Sequence, residues 1–251
     1  MIEKGMEVTM QVHISVDDVT GILRDVTVHQ YSAIFENPIL ADMYWFYLKY
    51  RARFSLYCFA DQEILLNQVT DRYREELAEE THWLKFGFHA GNKQSNYEKL
   101  ASEEERACLR EQIHMVHDNI CRFAHKDSIC HTVRLHYFAG SKETVEELEK
   151  QGISALLTAD DDRISYYLTE EENRALRASE SGFLQKGNMK FYRTDIRYEK
   201  TEDILAELEA RKQQERIVIF THENQWIRQR KKIETSLAWL KEHEAQFLME
   251  L

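Results

Sequence analysis

The stretch "VHISVDDVTG", residues 12–21, joins an alternating apolar pattern to two adjacent carboxylates, Asp17 and Asp18. The alternation over residues 10–16 predicts a β-strand, and the acidic pair marks the place where that strand stops. Adjacent side chains on an extended segment point to opposite sides, so one carboxylate could hold a metal while the other takes a proton. Asp is also common in turns, because it accepts local backbone hydrogen bonds. The stretch alone therefore leaves an acidic turn and a functional pair both open.

Segments like this strand recur along the chain and alternate with segments of helical spacing. The further predicted strands are residues 53–59, 83–89, 131–138, 153–159 and 216–222. The predicted helices are residues 39–50, 62–80, 101–125, 141–152, 201–214 and 225–248. This alternation predicts parallel strands joined by crossover connections. With one proline and 8 glycines there is no flexible linker. We therefore expect one α/β domain over residues 1–251, and favour a (β/α) barrel over an open sheet.

Composition narrows the class of partner. The chain is 43% hydrophobic and 31% charged, so it can form a sizeable core under a well-solvated surface. Its net charge of −11 disfavours general nucleic-acid binding and docking on an anionic membrane. The N-terminus lacks the apolar run of a signal peptide, and no stretch has the length of a membrane span. The four cysteines show no metal-binding spacing, which predicts reduced thiols and a cytoplasmic location.

Most of the candidate catalytic and metal-binding residues lie at the ends of the predicted strands. In barrels of this type catalytic groups sit at the carboxyl ends of the strands. Those ends hold Asp17 and Asp18, His89 and Asn92, Arg134 and His136, the acidic turn 159–163, and His222. A single histidine at a strand end is more often a packed, hydrogen-bonded residue than a ligand. The whole set on one rim favours a functional site.

In this order the residues resemble the motifs of polysaccharide deacetylases, the NodB-like enzymes of carbohydrate esterase family 4. The family motif T-F-D-D-G corresponds to "ISVDDV" at residues 14–19, with Val19 in the place of the glycine. The further correspondences are "HAGNK" at 89–93 for H-[ST]-x-x-H, "RLHY" at 134–137 for R-x-P-[FY], "LLTADDDRISYY" at 156–167 for an acidic and aromatic motif, and "VIFTH" ending at His222. The resemblance covers the chain from residue 12 to about residue 222.

This resemblance implies a fold and an activity. The fold would be a distorted seven-stranded NodB-like barrel. The activity would be that of a metal-dependent hydrolase, an enzyme that removes N-acetyl groups from a sugar or glycan precursor with a divalent ion, zinc by preference. The substrate would be the N-acetylated sugar itself.

The resemblance also implies roles for individual residues. Asp18 and His89 would bind the metal, Asp17 would act as general base on the attacking water, and His222 would protonate the leaving amine. Arg134 would orient Asp17 and keep it ionised.

The third metal ligand departs from the family pattern. Lys93 stands where the family has its second histidine, and a protonated lysine has no lone pair for a cation. His136, which replaces the proline of the third motif, is our substitute ligand. Asn92 and Asp160 are weaker alternatives.

Two other functions remain open at this level. The same rim could hydrolyse another amide or an ester. Alternatively, the chain could be a metal-free carbohydrate-binding or scaffold protein, with the Lys93 ammonium in place of the cation.

Some aromatic residues and the last helix also allow two interpretations. The side chains of Tyr137, Tyr166, Tyr167 and Trp226 could stack on sugar faces or could pack in the core. Helix 225–248 could form a homo-oligomer, but we expect its apolar stripe to pack on the domain.

Overall fold

The computed structural model describes residues 9–251 as alternating strands and helices. The strands are β1 (Gln11–Val19), β2 (Phe54–Phe59), β3 (Leu84–Ala90), β4 (Thr132–Val133), β5 (Ala155–Leu157), β6 (Phe183–Lys186), β7 (Met189–Tyr192), β8 (Ile196–Arg197), β9 (Arg216–His222) and β10 (Gln246–Leu248). The helices are α1 (Gly21–His29), α2 (Pro38–Tyr50), α3 (Arg74–Glu79), α4 (Glu103–Phe123), α5 (Lys142–Lys150), α6 (Glu170–Ala178), α7 (Ile204–Glu209) and α8 (Trp226–Glu242).

The strands form two sheets. The larger sheet has the order β3-β2-β1-β9-β8, and β10 pairs with the beginning of β1. All its pairings are parallel. The smaller sheet has the order β4-β5-β7-β6, with only the β6–β7 pair antiparallel. The expected mixed α/β fold with mainly parallel strands is therefore confirmed.

The expected closed barrel is not confirmed. Among residues 9–251, a single isolated β-bridge connects the edges of the two sheets. It joins Phe86 of β3 to Ile129, which lies just before β4. On the other side the chain passes from β7 in the smaller sheet to β8 in the larger one. The Asp195 N–H, just before β8, already donates to the Val218 carbonyl of β9. Because β4 and β8 have two residues each, they are too short to extend the ladders around a barrel. The structure therefore does not confirm the seven-stranded barrel either.

Strand β1 lies in the middle of the larger sheet and is buried along most of its length. Val12, Ile14 and Val16 are buried, as are the residues between them. The alternate residues His13, Ser15 and Asp17 are polar, and each has a hydrogen-bond partner inside the protein. The position of β1 in the centre of the sheet brings its carboxyl end, with both acids, to the middle of the rim.

Several predicted elements are shorter in the structure, and helix 62–80 and strand 131–138 differ most. Of the predicted helix 62–80 only Arg74–Glu79 is α-helical, because the carbonyls of Leu66 and Val69 instead accept hydrogen bonds from the Arg122 guanidinium. The predicted strand 131–138 is reduced to Thr132–Val133 and continues as a 3-10 turn. Arg134 and His136 therefore follow a strand rather than lying on one.

Helix α8 packs its apolar stripe inward, as expected. Trp226, Ile233, Leu237 and Leu240 are buried, and the helix lies against α2 and α7. It ends at Glu242, earlier than predicted, because the chain beyond it turns to pair as β10 with β1. None of the described helices combines the length and the apolar character needed to cross a membrane.

Candidate metal centre

A bulge at the end of β1 separates the two adjacent carboxylates. Between Val16 and Val19, β1 advances three residues while β2 advances only two, from Leu56 to Cys58. Asp18 takes up this extra residue with a left-handed backbone, φ 61°. Asp tolerates this conformation better than most side chains, and bulges re-aim side chains near active sites. The glycine expected after Asp18 is therefore not needed, because Asp18 itself makes the turn.

Three side chains from three segments meet at this bulge. The Asp18 Oδ1 atom lies 3.1 Å from His89 Nε2, at the end of β3, and 3.5 Å from His136 Nδ1. The two ring nitrogens are 3.3 Å apart. All three ligand atoms lie within 4.8 Å of one another, close enough to hold one metal ion. One carboxylate and two imidazoles form a common donor set for catalytic zinc and related divalent ions.

The surroundings of His89 prepare it for metal binding. Its Nδ1 atom lies 2.5 Å from the Arg134 carbonyl oxygen, which can only accept a hydrogen bond. That contact keeps a proton on Nδ1, so the neutral ring can present the lone pair of Nε2 to a metal ion, whereas a ring with both nitrogens protonated donates from Nε2 to Asp18. The Phe59 ring packs edge-on against both His89 and His136 and keeps the two imidazoles in place. The hydrogen bond to the Arg134 carbonyl and the packing of Phe59 therefore support a site that fits a metal ion.

Asp18 is held in its charged form. Burial raises the pKa of its carboxyl, but hydrogen bonds from His136 and His89 and the nearby charges of His89 and His222 outweigh that effect. The net result is a pKa well below the ordinary value for aspartic acid. An ionised carboxylate is the form that binds a cation.

Asp17 is not one of the three ligand residues and forms a buried ion pair with Arg134. Its two oxygens lie 3.1 and 3.2 Å from Arg134 Nη1, and both side chains are buried. Arg134 also donates to Ser15 and Thr194, and its guanidinium lies 4.0 Å above the Phe220 ring. These contacts fix the orientation of the carboxylate next to the cluster.

His222 lies on the neighbouring strand and is paired with a carboxylate. In the ladder between β1 and β9 it stands directly opposite Asp17. Its Nδ1 atom lies 3.4 Å from Glu199 Oε1, the same oxygen that accepts the His222 backbone N–H at 2.7 Å and the Thr221 hydroxyl at 2.6 Å.

The environment of His222 favours its protonated form. Burial lowers the pKa of His222, but the hydrogen bond to Glu199 and the charges of Asp17, Glu199 and Asp18 more than compensate, so the pKa lies above the ordinary value. Burial also raises the pKa of Glu199, whereas the hydrogen bonds from His222 and Thr221 bring it down to about 2. The pair therefore combines a proton donor with a fixed negative charge.

The weaker ligand candidates and Lys93 lie outside the cluster. The Asn92 amide oxygen accepts hydrogen bonds from Gln94 and Ser95 in its own turn. Asp160 forms an ion pair with Lys200 at 2.9 Å. Lys93 is exposed, and within residues 9–251 its ammonium forms no ion pair with a carboxylate. Its side chain does not take the place of a cation beside Asp18.

Of the aromatic residues considered for sugar stacking, two pack inside the protein. Trp226 is fully buried and Tyr166 is buried. Tyr167 is partly buried against the core. Tyr137 is 52% exposed and lies next to His136.

Sequence patterns missed two carboxylates of this region. The sequence pattern places the acidic motif at residues 156–167, whereas the acid beside His222 is Glu199, which follows the two-residue strand β8. Glu223 directly follows His222, and its carboxylate accepts the backbone N–H groups of Thr20, Gly21 and Ile22. Its only signal was its place beside the last histidine in "FTHEN".

The Asp18–His89–His136 cluster, Asp17 and His222 have complementary chemistry. The cluster can bind a cation, Asp17 can accept a proton, and His222 can donate one. Such a combination is suited to hydrolysis, in which a water is deprotonated and a leaving group is protonated.

Comparisons with known proteins place the fold but not a family. No family model matches the chain, and no curated protein matches it. A solved 4-alpha-glucanotransferase from Thermococcus litoralis is similar with a TM-score of 0.61 and 13% identity, over 96% of this chain and 39% of that one. The peptidoglycan N-acetylglucosamine deacetylase Bc1960 gives a TM-score of 0.49 and 10% identity, over 96% of this chain and 86% of that one. The chain thus spans well under half of the glucanotransferase, and it shares the fold of that part.

Proposed function

We propose that this protein is a metal-dependent hydrolase that removes N-acetyl groups from a sugar or glycan precursor. The observation that carries the proposal is the meeting of Asp18, His89 and His136 beside an Asp17–Arg134 pair and a His222–Glu199 pair. The order of these residues along the chain, which resembles that of NodB-like deacetylases, supports the choice of an N-acetylated sugar as substrate.

The three cluster residues would hold the ion, which we propose to be zinc. A bound divalent ion supplies Lewis-acid activation of a water molecule and of the acetyl carbonyl group. Asp17 takes the proton of the attacking water, and Arg134 holds the Asp17 carboxylate in place for this transfer. His222 then gives its proton to the departing sugar nitrogen, and Glu199 keeps that histidine oriented and charged.

The other interpretations differ in their support. Hydrolysis of another amide or of an ester would use the same residues, and it is distinguished only by substrate. The hypothesis of a metal-free binding protein requires the Lys93 ammonium to replace the cation. The Lys93 side chain is exposed, however, and Asp18 faces His89 and His136 instead. The arrangement around Asp18 therefore favours a metal-dependent enzyme over that alternative.

The first experiment is elemental analysis of the purified protein, followed by assays of acetate release from a panel of N-acetylated glycans. We expect about one equivalent of a divalent metal per chain, and metal-dependent acetate release. The variant H136A should lose the metal, whereas H114A, which changes an exposed histidine on α4, should keep it. A protein that takes up no metal on titration would contradict the proposal.

Asp17 and Asp18 should separate metal binding from proton transfer. D17N should lower kcat by about 100-fold or more while the metal content stays close to that of the wild type, because Asp17 faces Arg134 rather than the cluster. D18N should lose the metal. Both variants are checked by elemental analysis and by kinetics on the same glycan. Loss of the metal from D17N would mean that the two roles are reversed.

A further inference from the structure

A cavity separate from the metal centre lies where the chain passes from β7 in the smaller sheet to β8 in the larger one. Its volume is about 380 Å³, within the range of about 300–1,000 Å³ that is usual for small-molecule sites. The side chains of Asp18, His89 and His136 do not line it. The charged and amide residues that do are Asp160, Arg177, Arg193, Asp195, Arg211 and Gln214.

Four buried polar atoms of these residues lack a hydrogen-bond partner within residues 9–251. Two are donors, Arg177 Nε and Arg193 Nη2, and two are acceptors, Asp160 Oδ1 and Gln214 Oε1. Arg193 is only 7% exposed, so bulk water does not replace its missing partner. Buried polar atoms without partners are rare, and they often mark a bound ion or water that completes the hydrogen bonds.

Arg177 carries a positive charge that no carboxylate in residues 9–251 neutralises in an ion pair. Its guanidinium donates instead to the carbonyl oxygens of Ala159, Asp161 and Thr194. Burial lowers the pKa of Arg177, and more distant carboxylates offset this only in part. The other charged side chains of the cavity are paired, as Arg193–Asp195 at 2.7 Å, Asp160–Lys200 at 2.9 Å and Arg211–Glu207. The cavity therefore has one positive charge in excess, which favours an anionic ligand.

We propose that this cavity binds the phosphate group of a small molecule between Arg177 and Arg193. Guanidinium groups donate strong, directional hydrogen bonds to phosphate oxygens, and Arg177 Nε and Arg193 Nη2 are free to do so. A singly charged phosphate also has a hydroxyl, which can donate to Asp160 or Gln214. The carboxylate of Asp160 favours that form of the phosphate by repulsion. A carboxylate ligand has no such proton and would leave both acceptors unpaired.

The cavity adjoins the candidate metal centre through Thr194, which lines it. The Thr194 hydroxyl accepts from Arg134 Nη2 at 3.0 Å, and the Thr194 carbonyl oxygen accepts from Arg177 Nη1 at 3.4 Å. Asp17 is bound by the other terminal nitrogen of Arg134. Phosphate binding at this place involves none of the metal ligands and does not require the proposed hydrolase activity, so it is measured directly.

The test is calorimetric titration of the purified protein with inorganic phosphate, with glucose 6-phosphate and, for comparison, with acetate. We expect about one equivalent of either phosphate compound to bind per chain with a Kd below about 1 mM, and acetate to bind at least about tenfold more weakly. The tighter of the two phosphate compounds shows whether the free ion or an ester is the better ligand. R177Q, which removes the unpaired charge, should weaken phosphate binding by about tenfold or more.

A second variant leaves Arg177 in place, because its guanidinium also supports three carbonyl groups. Ala210 is exposed and lines the cavity, so A210F should fill part of the space and weaken phosphate binding by about tenfold. The matched control is R228Q, which removes the same charge from an exposed position on α8 and should bind phosphate like the wild type. H136A should also bind phosphate like the wild type, since it alters only the metal cluster.

The possible results are distinct. Loss of binding in R177Q and A210F, with binding kept in R228Q and H136A, would support the site whether or not the protein hydrolyses N-acetylated glycans. Acetate binding as tight as that of phosphate, or equal weakening by R177Q and R228Q, would overturn it. Loss of binding in H136A alone would place the phosphate on the metal and also overturn it. No binding of either phosphate compound at about 10 mM would mean that water completes the hydrogen bonds of the cavity.

Discussion

Glu199 controls the proton on His222, and this role can be measured as a pH profile. If His222 is the general acid, the enzyme is active below the pKa of His222 and loses activity as the pH rises through it. E199Q removes the negative charge and weakens the hydrogen bond that raise this pKa. The alkaline limb of kcat/KM for acetate release should therefore move to lower pH by about one unit.

The control for this residue is E202Q, which removes the same charge from an exposed position three residues away. Its profile should match that of the wild type. Both variants should retain the metal, because neither residue belongs to the cluster. An unchanged alkaline limb in E199Q would show that His222 is not the group that titrates.

At the scale of elements, Glu223 fastens the start of α1 to the end of β9. Its carboxylate accepts the N–H groups of Thr20 at 3.0 Å and Gly21 at 2.7 Å, and that of Ile22. A Cβ at residue 21 would lie 3.2 Å from the carboxylate oxygen, closer than ordinary van der Waals contact, so a larger residue there would push against Glu223. These N–H groups are the free donors of a helix N-terminus, and the carboxylate satisfies them in place of a side-chain cap.

E223A should therefore lower the free energy of unfolding by about 1.5–3 kcal/mol, the range for hydrogen bonds to a buried charged group. The measurement is urea denaturation at neutral pH. A suitable control is E63A, which removes an exposed ion pair with Arg24 and should lower it by no more than about 1 kcal/mol. Equal effects of the two substitutions would show that the cap contributes little.

The sequence predicts elements well where local signals and the tertiary structure agree. Strand 216–222 has the predicted bounds, and Ser102 caps α4 with Glu105 in a capping box. Helix α6 also begins with a capping box, Thr169 with Glu172, although it is not among the predicted helices. Helix α1 has no side-chain cap of its own, and Glu223, 202 residues away from Gly21, supplies the acceptor. No local pattern contains such a contact.

In the candidate site, too, local patterns predict some residues, and contacts between distant segments determine the others. Strand ends located Asp17, Asp18, His89 and His222, because parallel strands bring their carboxyl ends to one edge. The bulge at Asp18 could not be predicted, because it depends on the register between β1 and β2. Glu199 escaped because two-residue strands carry almost no periodic signal.

At the scale of the whole molecule, the chain buries a neutral histidine in its interior. His13 is fully buried on β1, with Nε2 3.1 Å from the Tyr57 hydroxyl and Nδ1 3.3 Å from the Leu248 carbonyl oxygen. Burial and the charge of Arg134 lower the pKa of His13 to about 3. His117 on α4 behaves similarly, because burial and two neighbouring histidines lower its pKa to about 4.

These two histidines should make the folded state sensitive to mild acid. In the unfolded chain both bind protons below about pH 6.5, whereas the folded state excludes them until its lower pKa values are reached. Stability contributed by each is complete above about pH 6.5 and falls by up to about 1.4 kcal/mol per pH unit below it. The raised pKa of His222 acts in the opposite direction, and it does so equally in variants that keep His222.

H13N isolates the contribution of His13 by removing one of the two groups. The free energy of unfolding is measured by urea denaturation at about pH 7 and about pH 4.5 for the wild type and for H13N. Asn cannot be protonated, so the decrease on acidification should be smaller in H13N by about 2–3 kcal/mol. H243A serves as the control, because His243 is exposed and is not among the groups that lower the pKa of His117, so its decrease should match that of the wild type. If the wild type and H13N lost stability in parallel, His13 would have to be protonated in the folded core, and its contact with the Leu248 carbonyl rather than burial would determine its charge.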